Sequence, residues 1–492
     1  MKTYLCKPMN KTRILFLFVS IAALLFACRK DMLTTDPSDK LTFSADTVIF
    51  DTVFTTIGST TKRLLIYNPS DKLIVISSIM LAGGSASKFR LNVDGIPGIS
   101  HNDIEIQGKD SMFLFVEVTL DASGQNNPLI VSDSILFMTN GNLQDVDLVA
   151  WGQDAYFYYP TNYSQSLGGY SIVDCDDVWT NEKPYVVYGL LVVDSACSLD
   201  IMEGVKVYFH KNSGMLVYRD GTLRINGQPG NPVMMEGDRL EPFYQNVPGQ
   251  WDRIWFYNGS KNNTINHAII KNGTIGVHAD TVANSNPTVT INNTQIFQMS
   301  GACLLAQGAH ITAENSVFGN GGQFCAALVL GGNYDFRHCT FGSYYQYGNR
   351  QTPALLLNNY YEDVDGNIQL RDLTNAYFGN CIIMGNLENE IGFDSDNGAM
   401  FKYKFDYSVL RIDPEVNTSD INFFNQIIKT DKDTFFVDQV NNDFHLDASS
   451  PAIDAGSFNV ILDAATPSNL YNDLDGKGRK LNPDMGAYES QE

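Results

Sequence analysis

The stretch NNTQIF at residues 292–297 decides the fold of this sequence, because three later stretches repeat its shape. They are ENSVFG (314–319), RHCTFG (337–342) and GNCIIM (379–384). In each stretch an asparagine or histidine precedes a small residue and then apolar residues. These leading residues are Asn293, Asn315, His338 and Asn380.

The spacing of these leading residues predicts a solenoid. They lie 22, 23 and 42 positions apart, and 42 is about two repeats of 21. A repeat of this length, rich in β-forming residues, glycine and asparagine, predicts a right-handed parallel β-helix. Asparagine suits the turns between strands because it tolerates the left-handed backbone conformation. We therefore expect an all-β protein.

Two cysteines follow the same register. Cys303 lies ten residues after Asn293, and Cys325 lies ten residues after Asn315. Coils of a β-helix stack ~4.8 Å apart, so these two thiols on adjacent coils could just form a disulfide. A ladder of reduced thiols is the favoured alternative.

The other cysteines give mixed indications. Cys339 and Cys381 each follow a leading residue directly, and the 42-residue spacing predicts that they lie two coils apart, too far for a disulfide. Cys175 and Cys197 are 22 residues apart, which leaves both redox states open. No CxxC motif occurs, so a zinc or thiol-redox function has little support.

Longer segments resemble coils of the bacterial right-handed β-helix repeat proteins. The segments are LDIMEGVKVYFHKNSGMLVYRDGTLRINGQPGNPVMMEGDR (199–239), GQWDRIWFYNGSKNNTINHAIIKNG (249–273), NNDFHLDASSPAIDAGS (441–457) and DMGAYES (484–490). The resemblance covers most of 170–490 and implies a β-helix over 160–440, followed by a C-terminal cap over 441–492. It implies chemistry only weakly, because the family mixes polysaccharide lyases, hydrolases and adhesins.

The closing stretch NDLDGKGRKLNPDMGAYES (472–490) invites a calcium interpretation but fails the helix–loop–helix template. With Gly476 at the sixth position, Tyr471 is first and Asn482 is twelfth, and neither is the required carboxylate. An open solenoid end exposes strand edges that must be covered. We expect this stretch to be the cap, held by ion pairs between Arg479 and nearby carboxylates.

Residues 41–153 predict a separate antiparallel β-sandwich, which resembles the immunoglobulin-like domains of surface lipoproteins. Seven short alternating segments carry this prediction: TVIFDTVF (47–54), KRLLIYNPS (62–70), KLIVISSIML (72–81), FRLNVDG (89–95), SMFLFVEVTL (111–120), DSILFMTNG (133–141) and VDLVAWGQD (146–154). The domain has no cysteine pair. We expect it to act as a stalk or spacer, with ligand binding as the alternative.

The N-terminus predicts export and lipidation. A basic region precedes an apolar run of 14 residues, ILFLFVSIAALLFA (14–27), which is too short for a comfortable membrane span. LLFAC (24–28) resembles a bacterial lipobox, which implies a signal peptide over 1–27 and lipidation of Cys28. Residues 28–40 form a polar tether. The alternative is a short membrane anchor with an incidental cysteine.

The predicted location is the outer membrane, because Arg29 rather than aspartate follows Cys28 and gives no inner-membrane retention signal. The sequence does not decide which membrane face carries the protein. The formal net charge is −22, and removal of the leader would lower it further. Such a surface repels nucleic acid and acidic polysaccharides unless a cation or a basic patch bridges them.

Candidates for catalysis form two groups. Glycosidases need converging carboxylates, and lyases need a cation with a Lys, Arg or His base. The groups are Asp335, Arg337 and His338 in YDFRHC, and Glu362, Asp363 and Asp365 in YYEDVDGN. The first group also fits a structural ion pair. GxSxG, HExxH and P-loop motifs are absent from the sequence.

Calcium is a possible cofactor at Asp363 and Asp365. Closely spaced aspartates on a glycine turn supply the oxygen ligands that calcium prefers. The alternative is that Asp-Gly sequences here simply form good turns.

Loop tyrosines give the main indication of ligand binding. They lie in GSYYQYGNRQ (342–351) and NNYYEDVDG (358–366), and they are Tyr344, Tyr345, Tyr347, Tyr360 and Tyr361. We expect both loops to form one wall of a groove where tyrosine rings stack on sugars. The alternative is that the rings pack onto the solenoid. Trp251 and Trp255 are assigned to the coil core or edge.

The sequence therefore predicts a lipid-anchored envelope protein that binds carbohydrate along the groove of a β-helix. A polysaccharide lyase or glycoside hydrolase is the first alternative. A structural or adhesive surface protein with a protein partner is the second.

Overall fold

A computed structural model describes residues 32–54, 58–121, 129–280, 288–431 and 435–490. The predicted signal peptide and Cys28 lie outside these residues. The described residues form two compact units, of which the first ends at Asp154 and the second begins at Ala155. Within the described ranges, every helix is too short or too polar to cross a membrane.

The first unit is a β-sandwich of two five-stranded sheets. One sheet orders its strands Thr42–Phe43, Lys62–Tyr67, Ser111–Val118, Phe89–Val93 and Ile96–Gly98. The other orders them Thr47–Phe54, Asn142–Gln153, Leu129–Thr139, Ile74–Leu81 and Ser100–Ile106. All seven predicted strands are present, and the sandwich is confirmed. Its likeness to immunoglobulin domains stays a prediction.

One pairing in the sandwich differs from the antiparallel prediction. Thr47–Phe54 runs parallel to Asn142–Gln153, so the first long strand and the last strand of the domain lie side by side. The sequence also gave no indication of Ser100–Ile106, whose SHNDIEI has few apolar residues to mark a strand. A 3-10 turn at Gly84–Ala86 completes the unit.

The second unit is a parallel β-helix of three sheets. Sheet A comprises Tyr156–Tyr158, Tyr185–Val187, Lys206–Phe209, Val233–Gly237, Ala268–Lys271, Gln295–Phe297, Val317–Gly319, Thr340–Ser343, Ile382–Gly385, Val409–Leu410 and Ile428–Lys429. Sheet B comprises Asn162–Ser164, Gly168–Ile172, Leu190–Val193, Gly214–Val217, Trp251–Phe256, Gly273–Ala279, Ala302–Gln307, Phe324–Val329, Leu355–Asn358 and Ile391–Asp394. Sheet C comprises Asp177–Trp179, Ser198–Met202, Thr222–Asn226, Asn263–Asn266, Val289–Asn292, His310–Glu314, Gly332–Arg337, Leu373–Gly379, Lys404–Asp406 and Phe424–Asn425.

Successive coils pair in parallel, except that Asn162–Ser164 is antiparallel to Gly168–Ile172. The predicted all-β fold, a sandwich followed by a parallel β-helix, is confirmed. The right-handed sense stays a prediction, in line with the general preference of parallel crossovers.

The core of the β-helix is built from stacked identical positions. Alternate residues of each strand point inward, and phenylalanines on neighbouring coils stack along the axis. Phe336 and Phe378 lie 5.3 Å apart between ring centres, and Phe378 and Phe405 lie 4.8 Å apart. Because paired strands keep their register between coils of different length, inward positions stay aligned along the axis.

The predicted ladder turns are confirmed. Asn293, Asn315, His338 and Asn380 all have positive φ, between 47° and 50°. The Nδ2 of Asn315 donates to the side chain of Asn293 at 3.3 Å, and Asn380 pairs with His338 at 2.8 Å. The left-handed turn thus explains why asparagine recurs at this position.

The interpretation of the 42-residue spacing as two coils was wrong. Thr340–Ser343 pairs directly with Ile382–Gly385, so one long coil separates them. Its extra length lies in a loop at 344–354 and a hairpin at 360–370, both outside the stacked strands. Spacing alone does not distinguish an added coil from an added loop.

This correction moves the cysteines. Cys339 and Cys381 lie on adjacent coils, and burial together with the neighbouring thiol raises the pKa of Cys339 well above its ordinary value. Together with Cys303 and Cys325 they are buried free thiols. Cys175 and Cys197 form a disulfide with a Cα–Cα distance of 4.8 Å.

The C-terminal segment (435–490) packs against the outer face of sheet A. It contains the antiparallel pair Phe436–Asp438 and Asp443–Leu446, the helix Phe458–Leu462, and 3-10 turns at Gln439–Asn441 and Pro467–Leu470. Its apolar residues form one cluster with outward residues of sheet A, including Val317, Ile382 and Val409. That it also closes the end of the solenoid stays a prediction.

The ring of Phe444 packs directly against two glycines of sheet A. A methyl group would lie 2.4 Å from this ring at Gly319 and 2.3 Å from it at Gly342. Arg479 fixes the segment at the ladder, since it pairs with Glu489 at 2.6 Å and donates to Asn315 at 2.9 Å. The predicted anchoring role of Arg479 is confirmed for this contact.

Candidate functional site on sheet B

Sheet B carries an outward column of apolar and aromatic side chains across five coils. Trp255, His278, Leu305, Ala327 and Leu356 pair in register from one strand to the next. Trp255, Leu305 and Leu356 are only half-buried. Coils ~4.8 Å apart make this a continuous strip along the helix axis.

Trp255 lies at the centre of a polar and aromatic network. Its ring is parallel to that of His278, with 5.5 Å between ring centres and 5° between planes. Arg253 pairs with Asp252 and contacts Nδ1 of His278 at 3.2 Å, while Nε2 of His278 contacts Gln307 at 2.7 Å. Burial, reinforced by Arg253, lowers the pKa of His278.

The neutral imidazole that this lowered pKa favours fits the contacts of both ring nitrogens. Arg253 can only donate, so Nδ1 of His278 accepts and Nε2–H donates to the Gln307 oxygen. The ring orientation and tautomer are therefore fixed by neighbours on the two adjacent coils.

Aromatic rows lie at both corners of sheet B, mainly on the coils that precede this strip. Tyr159, Tyr188 and His210 stack in series at the corner where the chain passes from sheet A to sheet B. Tyr218 and Tyr257 stack at the corner between sheets B and C, with 5.3 Å between ring centres. The rows thus extend the aromatic surface of sheet B to the coils before Trp255.

The predicted loop tyrosines occupy the same two corners farther along the solenoid. Tyr345 and Tyr347 precede strand Leu355–Asn358, and Tyr360 and Tyr361 follow it. The expectation that they form one wall was wrong, because the two loops leave from opposite ends of this strand. They border sheet B from both sides instead.

The exposure of these tyrosines varies. Tyr347 is 49% exposed and Tyr361 is 38% exposed, whereas Tyr345 is half-buried. Tyr344 is buried and meets Phe436 of the C-terminal segment edge-on at 6.2 Å. Tyr344 therefore packs onto the solenoid, which corrects its prediction as a ligand-binding residue.

A buried ion pair braces the loop that carries Tyr345 and Tyr347. Arg350 contacts Glu390 through both terminal nitrogens, at 2.7 and 2.5 Å. The side chains are 1% and 0% exposed. Arg350 also donates to the Ser343 and Thr352 carbonyls, so this pair joins the loop to the coil beneath it.

Two carboxylates hold the hairpin with Tyr360, one from the next coil and one from the hairpin itself. Tyr360 donates to Asp394 at 2.7 Å. Asp363 accepts from the backbone of Asn367 and the side chain of Gln369, and these bonds lower its pKa. Asp363 therefore supports the turn.

The predicted calcium ligands are not joined by a third. Asp365 donates its backbone N–H to Asp363, and both side chains lie in the same exposed turn. Among the described residues, no group of three or more His, Cys, Asp or Glu side chains is arranged to hold a metal ion. The geometry thus gives this site no support beyond the turn itself.

The first catalytic group forms the structural ion pair that was its alternative. Arg337 pairs with Asp335 at 2.8 Å and donates to the Val460 carbonyl at 2.6 Å. His338 is fully buried, and burial followed by the charge of Arg479 lowers its pKa well below the ordinary value. Arg337 thereby holds the C-terminal segment.

Sequence reasoning missed the residues at the centre of the strip. Trp251 is a core residue as predicted, 1% exposed and donating to the Lys271 carbonyl, but Trp255 faces outward. A signal was available, because Trp255 and His278 are 23 residues apart and Tyr188 and His210 are 22 apart. Equal spacing at the coil period places each pair on neighbouring coils.

Comparisons with known proteins show weak structural similarities and assign no family or function to this chain. The sequence matches no protein-family model and no curated protein. The catalytic unit of a family 87 α-1,3-glucanase from Streptomyces thermodiastaticus is 9% identical, with 75% of this chain and 89% of that chain covered and a TM-score of 0.23. Likenesses at such TM-scores support neither a function nor a site.

Two further solved structures match smaller parts of the chain. A PapD-like domain of human CEP192 is 11% identical over 31% of this chain and 94% of that chain, with a TM-score of 0.18. A family 123 glycoside hydrolase from Clostridium perfringens is 8% identical, with a TM-score of 0.16. That match covers 25% of this chain and 31% of the hydrolase.

Proposed function

We propose that this protein binds carbohydrate on the outer face of sheet B. The observation that carries the proposal is the half-buried Trp255 ring, aligned with His278 and bordered by Tyr218 and Tyr257. Aromatic faces stack on the apolar faces of sugars, while a few fixed polar groups orient the hydroxyls. Arg253 and Gln307 supply such groups beside the ring.

A glycan array with neutral and acidic members tests this function. The Trp255→Ala variant is compared with Tyr471→Ala, which removes a 47% exposed ring in the C-terminal segment that covers sheet A. We expect Trp255→Ala to weaken binding about tenfold or more, and Tyr471→Ala to leave it unchanged. Equal binding by both variants would refute the site.

The charge of the chain favours neutral glycans over acidic ones. Asp280 follows one strand of sheet B, Asp394 ends another, and Arg253 is already paired with Asp252. Absence of every glycan signal from the array would reject carbohydrate binding. A protein partner and an adhesive role would then replace it.

Glycoside hydrolysis is the second candidate because carboxylates gather around Tyr360. Its hydrogen bond to Asp394 raises the pKa of Tyr360, and the charges of Asp394, Asp396 and Glu362 add to the shift. Glycosidases use two carboxylates on either side of the scissile bond. Product analysis with any bound glycan, comparing wild type with Asp394→Asn, separates turnover from binding.

We also propose that the protein is anchored to the outer membrane through a lipid on Cys28. The support is the sequence LLFAC, which resembles a lipobox. Metabolic labelling with palmitate should mark the wild-type chain and not Cys28→Ser, and membrane fractionation should find only the wild type in the outer membrane. Equal labelling of both chains would contradict the anchor.

A further inference from the structure

We propose that the ligand is a linear oligosaccharide that runs along the solenoid axis and contacts a second subsite at Tyr159, Tyr188 and His210. This inference rests on the proposed binding of carbohydrate at Trp255. It assigns a direction and a minimum length to the ligand.

The second subsite is a continuous stack of rings on three successive coils. Ring centres of Tyr159 and Tyr188 lie 4.9 Å apart with 26° between planes. Those of Tyr188 and His210 lie 4.5 Å apart with 27° between planes. Tyr159 is 47% exposed and the His210 side chain is 48% exposed, so the row is accessible at both ends.

His210 is the polar contact of this row. Its Nδ1 lies 2.7 Å from Asp238, whose side chain is only 14% exposed. Burial raises the pKa of Asp238, and its bond to His210 opposes this effect. The carboxylate orients the imidazole, which leaves Nε2 available to a sugar hydroxyl at the exposed edge.

Three other histidines of the β-helix have no ring nitrogen that is both accessible and unoccupied. His278 uses both ring nitrogens in contacts with Arg253 and Gln307, and His445 uses both with carboxylates. His338 is fully buried. His210 thus combines a fixed orientation with an exposed ring nitrogen.

The distance between the two subsites sets the ligand length. Tyr159, Tyr188 and His210 follow three consecutive strands of sheet A, and Trp255 belongs to the next coil. Tyr159 and Trp255 are therefore three coil spacings apart, roughly 14 Å along the axis. A single sugar covers one ring, so contact with all of these coils requires several linked sugars.

A size series tests this inference. The probe is the neutral glycan that binds best in the array, supplied from disaccharide to hexasaccharide. We expect wild-type affinity to rise with length and then level off, and Tyr159→Ala to lower the affinity of the long members about tenfold. The same change should leave disaccharide binding at Trp255 intact.

Two further variants complete the test. Tyr163→Ala is the matched control, because Tyr163 is a 79% exposed tyrosine outside the row. His210→Gln keeps a side chain that can donate to Asp238 and should also weaken only the long members. Length-independent affinity in the wild type, or equal effects of Tyr159→Ala and Tyr163→Ala, would overturn the second subsite. Failure of every length to bind would instead overturn the proposed function, and this inference with it.

Discussion

Sheets A and B both present apolar side chains outward, yet only one of these faces is covered by the C-terminal segment. On sheet A, Val317, Ile382 and Met384 are buried in a cluster with that segment. On sheet B, Trp255 and Leu356 stay half-buried. A solenoid face in contact with water needs a reason to keep an apolar strip accessible, and ligand binding is such a reason.

The difference begins with residue size. Sheet A has glycines at 319 and 342, so a phenylalanine ring can lie directly against its backbone. At the corresponding outward positions sheet B has tryptophan, leucine and histidine, and its corners carry stacked tyrosines. Small residues admit the protein's own side chains, whereas large aromatic residues offer a surface to another molecule.

The largest expected effect comes from placing the same charge on both faces. Ile382→Lys puts an ammonium group beneath the C-terminal segment, where desolvation costs several kcal/mol unless the segment detaches. Leu356→Lys puts it on the accessible face, where a long side chain can reach water, and should cost less than about 1 kcal/mol. Urea unfolding measures both. Similar losses would show that the two faces are equally covered.

The next effect is the loss of the buried anchor. Arg479→Met leaves Glu489 without its partner in a site where the two side chains are 0% and 4% exposed. Removing one member of such a pair costs about 3–5 kcal/mol. We expect earlier unfolding and faster proteolysis within 435–490. Exposed Arg219→Met is the control, and an equal loss in both variants would argue against the anchor.

A smaller loss of stability is expected from a methyl group placed in the space that the Phe444 ring occupies. Gly342→Ala places a methyl group 2.3 Å from the ring, and overpacking of this kind costs about 1–3 kcal/mol. Gly348→Ala is the matched control, since its nearest contact is an ordinary 3.6 Å. Thermal unfolding compares them. An unchanged melting temperature for Gly342→Ala would mean that the ring moves aside freely.

Much of the architecture was predictable because a solenoid repeats local information. Asn293 and Asn315 share one backbone conformation on successive coils, and this requirement is visible as a spacing of 22. The long coil before Asn380 was interpreted as two coils because the loops that lengthen it lie outside the stacked strands and show no repeat in the sequence. The packing of Phe444 on Gly319 was also out of reach, since it joins residues more than a hundred positions apart.

The candidate site was predicted in part, for the same reason. Tyrosine-rich loops can be recognised in the sequence, so Tyr347 and Tyr361 were named as candidates. The sequence did not indicate which corner of sheet B each of them occupies. Trp255 was missed because residues four apart in a regular strand share a face, whereas the register of WDRIWF shifts between Arg253 and Ile254 and places Trp251 and Trp255 on opposite faces. Only the register between coils separates core Trp251 from accessible Trp255.

The smallest expected effect concerns pH and the cover of sheet A. His445 lies between Asp443 at 2.6 Å and Asp475 at 2.8 Å, against the ring of Tyr488. Burial lowers the pKa of His445, but the two carboxylates outweigh it and raise the pKa above its ordinary value. The charged imidazole therefore stabilises the fold fully below about pH 6.5, and the contribution is lost as pH rises through the folded-state pKa.

Both carboxylates are substantially exposed, so solvent screening should keep this contribution below about 1 kcal/mol. The free energy of unfolding, measured from pH 5.5 to 8.5 (about the range in which histidine titrates), should fall more steeply for wild type than for His445→Gln. Leu356→Lys, on the other face, should keep the wild-type slope. Parallel curves for wild type and His445→Gln would show that the ion pairs of His445 do not stabilise the C-terminal segment. Arg479 and the packing of Phe444 would then be the contacts that hold this segment on sheet A.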